Sequence, residues 1–168
     1  MTLSSTTLTT LAAMPHRLEA TFALVPAELR AWKPASWDGI PGERFSALGQ
    51  VCHVRDIEIE GYQVRIARML AEENPALESL DSYELAEGRN YDAADPREAL
   101  AAFRAARSVT LKRLGELTAS QLSRRGSFGE HGALTLRSLV HYLVKHDLQH
   151  LSCLEWLLGR LHGTAGAG

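Results

Sequence analysis

Residues 135–161 read TLRSLVHYLVKHDLQHLSCLEWLLGRL, and within them Leu139, Leu143, His146, His150, Cys153 or Leu154, Leu157 and Leu161 recur at alternating steps of four and three. That spacing is one face of an α-helix packed against other helices. Thr135 stands at the N-cap position. His162-Gly-Thr-Ala-Gly-Ala-Gly follows, so the helix is expected to end near Leu161 and give way to a flexible glycine-rich tail over 162–168. Two histidines occupy otherwise apolar positions of this face.

The rest of the chain divides at its breaker residues into three further helical patterns. In the first, Leu11, Leu18, Phe22, Val25 and Leu29 form the apolar stripe, with Pro15 and Pro26 starting or kinking turns. A Pro/Gly-rich loop over 32–42 precedes Ser46, the expected N-cap of a second helix running to about Leu70, and Asn74-Pro75 ends it. Residues 75–94 lack a sustained period and read as a crossover able to cover a site. Asp95-Pro96-Arg97-Glu98 combines a capping carboxylate, proline at the first helical position and glutamate three residues after the cap, opening a third helix through Phe103, Leu111, Leu114 and Leu117. Ser127, Gly129 and Gly132 mark the loop before the last helix. No strand-like alternation competes. The expected fold is all-α, an antiparallel four-helix bundle with a crossover connection between helices 2 and 3, in one domain over 1–161.

The 168 residues carry 18 Lys+Arg against 20 Asp+Glu, a formal charge of −2, with no basic run to track a phosphate backbone, so nucleic acid is excluded as a partner. Two cysteines, Cys52 and Cys153, fit a reducing compartment. There is no long apolar run for a membrane span and no basic-then-apolar leader, which points to a cytoplasmic protein.

Of the seven histidines, His146 and His150 lie four apart, ~40° around the helix and ~6 Å along it, so both imidazoles can face one ion. Chance alone supplies about 0.3 such pairs in a chain of this composition, so placement on the core face is what counts. Unpartnered, each buried ring nitrogen would cost about 1–3 kcal/mol, and a shared metal removes that cost. In the second helix His53 lies within ~40° of Ile57, Glu60, Val64 and Ala67, on a face that holds core positions. Three imidazoles from two helices thereby face one interior. His16, His131, His141 and His162 read as background.

These residues carry a resemblance. Phe45–Glu58, FSALGQVCHVRDIE, resembles the second-helix motif of the DinB family of metal-binding helical bundles, and His146–Leu151, HDLQHL, resembles its last-helix H-x-x-x-H motif. Leu24–Pro34 and Leu100–Leu117 are also similar to the family pattern. The resemblance implies a three-histidine site for a divalent metal at His53, His146 and His150, in a four-helix bundle that commonly dimerises. It further implies a metal-dependent enzyme acting on a small molecule, as in thiol-dependent transferases and isomerases using low-molecular-weight thiols, or in hydrolases. The alternative is a non-enzymatic metal- or ligand-binding bundle.

Three nitrogen donors leave coordination positions open, the arrangement of a catalytic site, and imidazole suits zinc or nickel, with iron also compatible. Four further residues have two readings each. Asp56 either hydrogen-bonds a ligand or is a solvated charge. Glu60 reaches substrate or stays paired at the surface. Arg107, in an apolar position, meets an anionic substrate group or, as favoured here, a buried acid such as Glu60. Cys153 is a fourth ligand or a small core residue, the latter favoured. The zincin motif is missed by Asp147 in place of Glu, and a di-iron bundle lacks its carboxylates.

Overall fold

The structure, a computed structural model, describes residues 2–165, with side chains described through Leu161. Its first long helix, α1, spans Ser5–Ala23, begins where Ser4 Oγ accepts the Thr7 N–H, and keeps Pro15 in its interior. It stops short of Leu29, because Pro26 restarts the chain in a separate 3₁₀ turn over Ala27–Leu29. The second run is α2 (Ala47–Asp56), a π-helical segment (Ile57–Tyr62) and α3 (Gln63–Ala71). Ser46 Oγ caps it by accepting the Gly49 N–H. After strand β1 (Ala76–Leu77) and the short α4 (Ser82–Gly88) comes α5 (Pro96–Gly115), where Asp95 accepts the Arg97 and Glu98 N–H groups ahead of proline at the first position. A single turn, α6 (Ala119–Leu122), strands β2 (Arg125–Phe128) and β3 (Ala133–Thr135), and α7 (Leu136–Ala165) complete the order. Thr135 Oγ1 accepts the Ser138 N–H at the start of α7. The α7 backbone continues four residues beyond Leu161; the His162 side chain and residues 166–168 lie outside what is described.

α1 packs on α5 and α7, and α2 packs on the same two helices, which makes a bundle of four helical runs. The core is in two apolar clusters. One holds Met14, Leu18, Val51, Val54, Phe103, Leu151 and Leu154; the other holds Leu11, Ile57, Ile66, Leu114, Leu139 and Leu143. Polar side chains reach core depth from α2 (His53), the π-helical segment (Glu58), α5 (Arg107) and α7 (Asp147 and His150).

Two further features depart from the sequence expectation. The first is a three-stranded sheet, with β1 parallel to β2 and β2 antiparallel to β3. Its strands are two to four residues long, too short to register as a period, and they are held by pairing rather than propensity. Ser127 N–H donates to Pro75 carbonyl, tying the segment after α3 to the one before α7. The second is the π-helical segment. A π turn acts as a one-residue insertion in an α-helix and rotates everything after it by about 100°. Val64 and Ala67, predicted to face inward with His53, are exposed, and Tyr62, Arg65, Ile66 and Met69 are buried in their place. The inward face has advanced by one residue.

Candidate metal centre

α2 and α7 bring three imidazoles into the polar layer. His53 and His150 are buried and His146 is half-buried. Ring centroids are 4.4 Å apart for His146 and His150, 4.4 Å for His53 and His150, and 5.2 Å for His53 and His146. One ring nitrogen of each lies within 4.8 Å of the other two, and Nε2 of His53 and of His146 are 3.1 Å apart. Zinc with metal–nitrogen bonds of about 2.0–2.1 Å has tetrahedral edges of about 3.3–3.4 Å, so His53 and His146 already stand near ligand-to-ligand spacing, with His150 within 4.8 Å of both.

The proton positions favour coordination. Gln50 Nε2 donates to the carbonyls of Glu43 and Phe45, which turns Oε1 toward His150 Nδ1 at 2.6 Å. An amide oxygen only accepts, so Nδ1 of His150 carries the proton and Nε2 keeps its lone pair. That Nε2 is buried and has no hydrogen-bond partner among the described residues. Nδ1 of His53 and of His146 likewise lack partners, so His150 is the one ring oriented from behind. Burial pushes the His53 imidazole down to about 4 and holds His146 and His150 well below their ordinary value, with the neighbouring imidazoles adding to the effect. All three are neutral at neutral pH, the form that binds metal.

A carboxylate faces the rings from a loop. Glu43 places Oε1 3.8 Å from His53 Nε2 and Oε2 3.6 Å from His150 Nε2. The loop can run this close to α7 because Gly42 precedes it at φ 120°, and a Cβ there would stand 3.0 Å from Gln149 Nε2 and 3.1 Å from Cys153 Sγ. Neutral nitrogens with one flanking carboxylate suit zinc, nickel or iron and not calcium or magnesium. The residues fit a divalent transition metal.

The profile of the DinB superfamily matches residues 10–154. The chain belongs to that superfamily. Among solved structures it is similar to YfiT from Bacillus subtilis, described as a probable metal-dependent hydrolase with an unusual four-helix bundle topology; identity is 22%, the TM-score is 0.81, and the match covers 96% of this chain and 91% of that one. No curated protein matches the sequence.

Beside the histidines this superfamily member has a cavity of about 220 Å³, walled by His53, Tyr62 and Arg65 from the second helical run, Ser79 and Ser82 from the segment after α3, and Lys145 and His146 from α7. His131, read from sequence as background, also lines it. His16 and His141 stay outside it.

The remaining sequence-predicted residues have structural partners. Asp56 is buried and accepts hydrogen bonds from the Tyr91 hydroxyl at 2.7 Å and Arg55 Nε at 2.6 Å, with Arg89 Nη1 at 2.9 Å. Burial works to raise its carboxyl, but these partners outweigh it and hold it below the ordinary value. It is not a solvated charge, and no hydrogen bond joins it to His53. Glu60 pairs with Arg89 at 2.7 Å, rotated out of the site by the π turn. Arg107 meets Glu58 and Asp147, at 2.9 and 2.6 Å, and not Glu60. Cys153 is buried against the Pro41 carbonyl and outside the histidine cluster. Gln50, Glu43 and Arg65 escaped the sequence reading. Gln50 sits three residues before His53 on the same helix face, a signal that was present.

Proposed function

We propose that this chain is a metal-dependent enzyme in which His53, His146 and His150 hold one divalent cation, zinc or nickel first and iron next, beside a cavity that admits a small molecule. The observation that carries the reading is the meeting of three neutral ring nitrogens within 4.8 Å, that of His150 a buried orphan, on rings of which two, His53 and His146, line the cavity. A bound cation would supply Lewis-acid polarisation of a substrate carbonyl or stabilise an anionic nucleophile. The chain's own residues do the rest. Gln50 fixes the His150 tautomer, Glu43 sets a negative charge beside two of the rings, and the Ser79 and Ser82 side chains border the space for substrate.

Hydrolysis of a small molecule is the first reaction class, in line with the description of YfiT as a probable metal-dependent hydrolase. Thiol-dependent transfer or isomerisation, using a low-molecular-weight thiol, is the second, in line with the family resemblance. The enzyme is a cytoplasmic homodimer in this proposal, an antiparallel bundle whose long connection between its second and third helical runs crosses over the site. Among the described residues no helix is long and apolar enough to cross a membrane, and both cysteines are free and buried.

Elemental analysis of tag-free protein and its His150→Ala variant tests the site: about one ion per chain is expected in the first and none in the second. Equal metal content in both removes the proposal. Metal-loaded protein is then assayed on ester and amide substrates and on thiols with electrophilic acceptors. Metal retained with no turnover throughout reduces the function to metal binding.

A further inference from the structure

Two arginines are buried at core depth, and they are treated differently. Arg107 is 1% exposed and is answered by two carboxylates, Glu58 and Asp147. Arg65 is 5% exposed and has no carboxylate in ion-pair range among the described residues. Its Nε and Nη2 both donate to one neutral acceptor, the Glu78 carbonyl, at 3.0 and 2.9 Å. Its guanidinium lies over the Phe128 ring at 4.5 Å and near the Tyr62 ring at 5.3 Å. Nη1 is neither bonded to protein nor sealed from solvent. A desolvated charge without a counter-ion is costly, and aromatic faces and one carbonyl offset only part of that cost.

The placement says what completes the pairing. Arg65 walls the same cavity as His53 and His146, and it faces inward because the π-helical turn rotated it there in place of Val64. Lys145 is a second cation on that wall. Among the described residues the one carboxylate lining the cavity, Glu43, stands at the histidines, within 4 Å of two of them. The cavity therefore has a carboxylate-flanked histidine region and, elsewhere on its wall, unmatched positive charge.

We infer that Arg65 is the receptor for an oxyanion on the substrate, a carboxylate or phosphate carried by a small organic molecule whose reacting group lies at the histidines. A guanidinium with an idle Nη1 can donate to an oxyanion with the directionality that a point charge lacks. The cavity volume limits the ligand to a small acid. Lys145 adds long-range attraction at the wall. This inference rests on the proposed metal-enzyme reading for the position of the reacting group, but not for the anion contact itself.

The test uses full-length zinc-loaded protein, with metal content measured on every sample. Succinate, inorganic phosphate and the neutral succinamide are titrated calorimetrically into wild type, Arg65→Gln and His150→Ala. Wild type is expected to bind at least one anion and to bind succinamide far more weakly; the tighter of succinate and phosphate identifies the group. Arg65→Gln is expected to keep its zinc and lose about 10- to 100-fold in anion affinity, the worth of a charge-assisted contact. In His150→Ala, expected to lack zinc, anion binding is expected to persist and to fall when Arg65→Gln is added. Anion affinity unchanged in Arg65→Gln, or no anion binding by wild type at millimolar concentration, overturns the inference whatever the metal content. Wild type that takes up no zinc on loading, with anion binding intact, sinks the metal reading alone. Should Arg65→Gln fail to fold, Gly61→Ala reads the same contact. A Cβ there would lie 2.9 Å from Arg65 Nη1 and displace it. Several-fold weaker anion binding is expected, and unchanged binding overturns the assignment.

Discussion

Gln50 Oε1 lies 2.6 Å from His150 Nδ1, and the Gln50 amide is itself locked by donating to the Glu43 and Phe45 carbonyls. The link joins the loop before α2 to the last helix and decides which nitrogen of His150 is free. Gln50→Leu keeps most of the side-chain volume and removes all three hydrogen bonds. Metal affinity, measured by chelator competition, is expected to fall about 10- to 100-fold, the usual cost of losing a partner behind a ligating histidine. Undiminished affinity would mean that the His150 ring is held by packing alone.

Glu43 is a different kind of neighbour, since its carboxylate comes from a half-exposed loop and faces two ligand rings at 3.6 and 3.8 Å. Removing its charge with Glu43→Gln leaves the loop's shape and Gly42 untouched. Zinc binding is expected to weaken by about tenfold, because one negative charge near a dication is lost at partly screened distance. The cobalt-substituted protein should also change its visible spectrum if Glu43 coordinates. An unchanged affinity in low salt would assign Glu43 to substrate contact only.

The helices and the three histidines were legible because both depend on the 3.6-residue period, and α7 keeps that period from Leu139 through Leu161. The caps at Ser46, Asp95 and Thr135 were legible for the same local reason, a side-chain oxygen beside free N–H groups. Beyond Ile57 the arithmetic failed. A π turn has no composition signal comparable to proline, so an uninterrupted 3.6-residue period puts Glu60 and Val64 inward, whereas it is Arg65 that walls the cavity. Glu43 lies in a loop with no period, brought to the histidines by chain path and by a glycine at positive φ. The sheet is four residues at its longest and becomes visible only when Pro75 and Ser127 are already neighbours.

The Glu58–Arg107–Asp147 group spans α5, α7 and the π-helical segment directly behind the histidines. Arg107 donates to both carboxylates and to the Leu11 carbonyl, all at 2.6–3.0 Å. Arg107→Met leaves two carboxylates buried without a cation. Its expected cost is about 3–5 kcal/mol in urea unfolding of the metal-free protein. Replacing the whole group with apolar residues of similar volume should recover most of that loss. A small effect from the single substitution would show that water or a proton readily takes the place of the guanidinium.

Acid should destabilise the metal-free protein through the same histidines that bind metal. Burial lowers the His53 imidazole from 6.5 to about 4, and His146 and His150 are lowered well below 6.5. In the unfolded chain these groups titrate near 6.5, so between about pH 6.5 and 4 the unfolded state binds more protons than the folded one. Their contribution is therefore complete above about pH 6.5 and drains as pH falls. His53 by itself accounts for on the order of 3 kcal/mol between pH 7 and 4. Asp147 acts in the opposite sense. Burial raises its carboxyl to about 6 against the pull of Arg107, so its protonation in the folded state returns some stability as pH drops below 6. Three imidazoles against one carboxyl leave a net loss. Urea midpoints of chelator-treated protein at about pH 7.5 and about pH 5 read the balance, and a midpoint that holds or rises at the lower pH would contradict it. Adding zinc should raise the midpoint more at the higher pH, since protons and metal compete for the same nitrogens.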